Sequence, residues 1–164
     1  MAIDAVTALI FLPFVLPIGI WVAWNDMKFM KIPNKAVVAL FGIFVFVGLI
    51  ALPLDAYLWR WPIALGVLVI GFFMNLARAM GAGDAKFLAA MAPFADPGDV
   101  NVIVILFAAM LLAAFATHRL FRAMPWVRAR FPDWESWGHP KFPMGLALGS
   151  TIIIYLALGA VLGS

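Results

Sequence analysis

The 164-residue chain contains no cysteine. That excludes disulfide staples, thiolate nucleophiles, cysteine-ligated zinc and iron–sulfur clusters. Charge is almost as scarce. Asp, Glu, Lys and Arg make up 12% of the residues, against about a quarter in a soluble globular domain. Such a chain cannot cover a water-facing surface with polar side chains. Internal repeats and low-complexity tracts are also missing. There are two histidines, His118 and His139, and neither has the carboxylate or cysteine spacing of a metal site. What the chain does have is apolar surface, with 66% hydrophobic residues and a mean hydropathy of +1.09. Disorder requires the opposite composition. The class left standing is an all-α polytopic membrane protein. At roughly 20 residues per spanning helix, the length allows about six spans with short loops. There is no room for a second domain, so 1–164 reads as a single membrane-embedded domain.

Six apolar runs can be marked between charges: Ile3–Trp24, Ala36–Leu52, Trp61–Ala77, Ala85–Ala95, Val100–Thr117 and Met144–Leu162. Helix is expected for each, because hydrocarbon forces every backbone hydrogen bond to be made within the segment. The fourth run is too short to cross the hydrocarbon core. It is either re-entrant or a span whose inner end is sunk, and the charge pattern favours the second.

That pattern is one-sided. Ten of the eleven Lys and Arg residues fall in alternate loops: Lys28, Lys31 and Lys35, then Arg78 and Lys86, then Arg119, Arg122, Arg128, Arg130 and Lys141. The positive-inside rule places those loops in the cytoplasm and both termini outside. Asp55 and Arg60 are assigned to the outer loop 53–60. The N-terminal stretch has no basic residue, so the first run is expected to be retained and not cleaved as a signal peptide. Spread over three loops, the bases point to orientation and anionic lipid headgroups, with no nucleic-acid partner. Aromatics and bases mix in loop 118–143, as suits a segment lying at the membrane interface, and both histidines are read as interfacial.

There are only eight acids. Asp4, Asp55, Asp96 and Asp99 fall outside and Asp133 and Glu135 in the long inner loop, all with ordinary loop explanations. Asp26 directly follows the first run, and Asp84 directly precedes the fourth. Both stand at the inner boundary, where helix packing could bring them face to face. Asp26 opens the stretch Asp26-Met27-Lys28-Phe29-Met30-Lys31-Ile32-Pro33-Asn34. Asp84 sits in Gly81-Ala82-Gly83-Asp84-Ala85-Lys86. Gly81 and Gly83 are expected to supply unusual torsions and close approach, and Asp84 to N-cap the next helix. Two neighbouring carboxyls that share one proton form an acid–base pair able to hydrolyse a peptide bond. The plain alternative is a solvated helix end and a cap.

These residues resemble the prepilin peptidase (type IV leader peptidase) family of GxGD membrane aspartyl proteases. The resemblance rests on Asp26 with its basic followers and Ile32-Pro33-Asn34, on Gly81 to Lys86, and on Phe87-Leu88-Ala89-Ala90. It extends to the six-span layout. It implies that Asp26 and Asp84 are catalytic, with Lys31, Ile32, Pro33, Asn34, Gly81, Gly83 and Lys86 as supporting motif residues. It also implies a prepilin-like substrate, whose short basic leader is cut just before its hydrophobic helix at the cytoplasmic face of a bacterial inner membrane. Larger members carry a cysteine-paired insert and methylate the new N-terminus. With no cysteine and a short first inner loop, this chain looks like the minimal, CpaA/TadV-like type found with Flp (Tad) pili. No metal, no cofactor and no methyltransferase activity are expected. Pro33 and Asn34 are expected to shape the start of the second span and aim Asp26. Gly145/Gly149 and Gly159/Gly163 give small-xxx-small spacing that suits helix packing within the chain or in a homo-oligomer. The competing reading is a non-catalytic membrane subunit of a secretion, pilus or transport system. An ion carrier is poorly supported, since no run has an acid near its middle.

Overall fold

The computed structural model describes all residues, 1–164, and is all-helical. Its helices are α1 (Ala5–Phe29), α2 (Asn34–Ala51), α3 (Leu54–Leu76), α4 (Ala82–Met91), α5 (Val100–Ala123), α6 (Pro125–Arg130) and α7 (Met144–Leu162). Short 3₁₀ turns at Ala92–Phe94, Pro97–Asp99 and Glu135–Trp137 complete the chain. Helices α1, α2, α3, α5 (with the turn before it) and α7 are long and apolar enough to cross a membrane. The fourth run is a ten-residue helix continued by a 3₁₀ turn. It nevertheless joins the two ends of the bundle. Asp84 lies at one end beside Asp26, and the carbonyls of Pro93 and Ala95 accept hydrogen bonds at the other end from Arg60, at 3.2 and 2.6 Å. A re-entrant turn would have returned to its starting end.

Several runs extend further than hydropathy alone marks. α1 continues through Asp26 to Phe29, so Asp26 belongs to its last turn and does not follow the helix. α5 continues through His118 to Ala123, and α3 begins at Leu54, so Asp55 and Arg60 are helical and not in a loop. Polar residues at the headgroup boundary interrupt the apolar pattern without interrupting the backbone hydrogen bonding.

The main core cluster runs the length of the bundle, and a smaller one joins Met27, Val127 and Trp137. Phe11, Phe44 and Phe94 are fully buried in it, with ring centroids of Phe11 and Phe94 4.9 Å apart. α1 packs along α7 through glycines. A Cβ on Gly19 would lie 2.9 Å from the Gly149 carbonyl oxygen, and one on Gly149 would collide with the Gly19 carbonyl. A Cβ on Gly159 would lie 2.7 Å from Ile3. The small-xxx-small spacing of α7 is therefore used inside the chain, where small residues let helices approach closely.

At the end away from Asp26, the termini meet. The Met1 amine donates to the Leu162 carbonyl at 3.1 Å. Asp99 is buried there and accepts from the Ala2 and Ile3 N–H groups (2.7 and 3.0 Å) and the Tyr155 hydroxyl (2.9 Å). Arg60 is buried too, paired with Asp96 at 2.9 Å. The loop explanation for Asp99 and the loop placement of Arg60 are thus corrected. Both tie α1, α3, the 3₁₀ turns and α7 together.

Candidate active site

At the opposite end, a cavity of about 520 Å³ is lined by both Asp26 and Asp84. Its walls come from the end of α1, the α1–α2 turn, the start of α4 and the segment before α7. Of the other motif residues, Lys31, Ile32, Asn34, Gly81, Gly83 and Lys86 also line it. Pro33 does not. It is the N-cap of α2, and its carbonyl accepts from the Ala36 N–H at 3.0 Å.

Asp26 is 4% exposed, so its surroundings decide what it can do. Its Oδ2 accepts from the Gly145 backbone N–H at 2.6 Å. Gly145 lies in the first turn of α7, whose N–H groups have no intrahelical partner. The positive end of the α7 dipole therefore points at Asp26. Glycine is required here for space. A Cβ on Gly145 would stand 2.8 Å from the Asp26 Cβ. After α1, the chain turns with Met30 in the left-handed region (φ 49°), and the Asn25 amide donates to the Lys31 carbonyl at 2.5 Å. This turn sends Ile32 and Asn34 back to the cavity.

Asp84 is at the third position of α4, three residues past the cap position that was expected of it. Gly81 is the N-cap. An acid in the first turn still gains from the helix dipole. Neither glycine supplies a left-handed torsion. Gly81 has φ −68°, and no glycine in the chain has positive φ. The other half of the expectation, close approach, holds. A Cβ on Gly81 would stand 2.6 Å from the Asp84 Oδ2, and one on Gly83 3.4 Å from the Ile32 Cβ. Burial pushes the Asp84 carboxyl above the ordinary carboxylate range. The backbone of Gly81 and the charge of Lys141 pull it the other way.

Sequence reasoning missed four contributors. His139, Lys141 and Phe142, from the segment ahead of α7, and Met144, its first residue, complete the cavity. The Lys141 N–H donates to the His139 Nδ1 at 3.0 Å, which folds this segment on itself. His139 is thus part of the site. His118 is not interfacial. It is buried on α5 and stacked on Trp137, with centroids 5.5 Å apart. The available signal was positional: His139 and Lys141 stand just ahead of the helix that starts at the Asp26 end.

The arrangement defines a class, a helical membrane protein with two carboxyls facing one cavity at one end of its bundle. The model of the type IV leader peptidase family matches residues 10–118, two thirds of the chain, including both aspartates. The chain belongs to that family. No curated protein and no solved structure matches it.

Proposed function

We propose that the protein is an aspartic endopeptidase that removes the short basic leader of Flp-like prepilins at the cytoplasmic face of the inner membrane, as the minimal, peptidase-only form of its family. The observation that carries this reading is the shared cavity of Asp26 and Asp84. Two carboxyls facing one small space hold a single proton between them more readily than none. The ionised member takes a proton from a water, whose oxygen bonds to the scissile carbonyl carbon. The neutral member gives its proton to the carbonyl oxygen. The resulting diol collapses as a proton passes to the leaving nitrogen and the C–N bond breaks. The roles are those of the pair and not of either residue alone.

The Asp26–Gly145 hydrogen bond also supports a second reading, in which Asp26 merely caps α7 in a non-catalytic subunit. Asp26→Asn and Asp84→Asn separate the two. Co-expressed with a candidate prepilin, each variant should insert at wild-type levels and yield no leader-shortened product. Cleavage by both variants, or loss of the folded protein in place of loss of cleavage, would count for the subunit.

A further inference from the structure

The cavity has a continuation that the catalytic reading does not use. Helices α2 and α3 are locked together toward the end away from Asp26, where Phe44 stacks on Tyr57 at 5.2 Å and packs edge-on against Trp61 at 5.4 Å. Toward the Asp84 end they part. Between them lies a groove of about 640 Å³, walled by Val37 and Phe41 on one side and Leu65 and Leu68 on the other, with Ala89 of α4 in its lining. Seven of its nine lining residues are hydrophobic. Lys86 lines both this groove and the catalytic cavity. It stands two residues after Asp84, about 3 Å of helix rise. The groove therefore begins within one helical turn of the reacting carboxyls and leads away from them between apolar walls. The other large apolar groove, between α1, α5 and α7, shares no lining residue with the cavity.

We infer that the α2–α3 groove seats the apolar, membrane-spanning segment of the substrate, with the peptide bond ahead of it delivered past Lys86 to Asp26 and Asp84. This inference rests on the peptidase reading and adds where the substrate lies. The chemistry matches along the path. A peptide bond needs the polar cavity, and a segment that must stay in hydrocarbon needs a neighbouring surface without unsatisfied polar groups. Lys86 lines both environments, and a lysine suits such a boundary, since its stem is apolar and its ammonium polar.

Two positions of similar exposure give the test. Leu65 in the groove is 62% exposed and Leu112 on α5 is 71% exposed, so a photoreactive benzoylphenylalanine at either leaves the core intact. With a full-length, membrane-embedded prepilin, position 65 should crosslink to the substrate's apolar segment and position 112 should not. Equal capture at both positions, or capture of lipid alone at 65, would overturn the inference. A kinetic arm uses the Leu65→Trp/Leu68→Trp double variant, which narrows the groove. KM for the membrane-embedded prepilin should rise at least tenfold. Cleavage of a short soluble peptide, carrying leader and cut site but no apolar segment, should not change. An unchanged KM, or equal loss on both substrates, would overturn the groove assignment. Failure of the unaltered protein to cleave either substrate would instead overturn the peptidase reading itself.

Discussion

Asp26 owes its surroundings to Gly145, which lies 119 residues downstream. Glycine inside a helix costs about 1 kcal/mol relative to alanine, so α7 gives up intrinsic stability at this point. What it gains is a backbone N–H pressed against a buried carboxylate, with no Cβ in between. Gly145→Ala should therefore leave α7 as helical as before and displace the Asp26 carboxylate. Misplacement of a reacting group by about 1 Å can cost on the order of a hundredfold in rate. We expect kcat/KM for leader cleavage to fall by about that factor while circular dichroism is unchanged. Lys141 acts on the other acid. Its positive charge favours the ionised form of Asp84, against burial, which raises that carboxyl. In the proposed mechanism the pair works when it holds one proton. Removing the cation makes protons bind more tightly, so Lys141→Met should move the whole pH–rate window upward and Lys141→Arg should leave it in place. A pH profile of kcat/KM for the two variants checks the sign, and a downward or absent shift with Met would remove Lys141 from the site.

At the level of helices, composition and charge were enough to mark six apolar runs and the turn sequences that hold Asp26 and Asp84. Helix ends were harder to read. The polar and charged residues of Asn25 to Lys28 and of His118 to Arg122 interrupt hydropathy but not the backbone ladder, so α1 and α5 run several residues past their apolar cores. The glycines of the Gly81–Asp84 turn were legible as a site of close approach. Their ordinary negative torsions, and the left-handed Met30 and Arg78, were not. A torsion depends on what the neighbouring segments need, and that is a tertiary fact. The contribution of His139, Lys141 and Gly145 was hidden for the same reason, since it exists only once α7 lies along α1. That packing makes its own prediction. Added volume in a tight contact typically costs about 1–3 kcal/mol. Gly149→Ala puts a methyl against the Gly19 carbonyl and should destabilise the protein by about that amount. Thermal unfolding in detergent would measure it. A substitution at exposed Gly66, where nothing lies within 4 Å of an added Cβ, should be close to neutral.

Across the whole molecule, charge is segregated by end. The Asp26 end carries the basic turns, and the far end carries Asp96, Asp99 and the paired Arg60. Arg60, the one base outside the inner loops, is the exception that fits. Its charge is matched by Asp96 and two carbonyls, so it adds little to the field that orients the chain. Unpaired bases are costly to carry across a membrane, and ten of them stand at the Asp26 end. That end, and the cavity of Asp26 and Asp84 with it, should face the cytoplasm. The absence of cysteine makes this directly measurable. Lys35→Cys near the cavity and Leu54→Cys at the far end each place a single, exposed thiol in an otherwise thiol-free protein. In intact cells whose outer membrane has been made permeable, a membrane-impermeant maleimide should label position 54 and leave 35 unmodified until the inner membrane is opened. The reverse pattern would put Asp26 and Asp84 on the outer face. It would then require the leader to cross the membrane before being cut, so the sidedness of one thiol decides between two orders of secretion and cleavage.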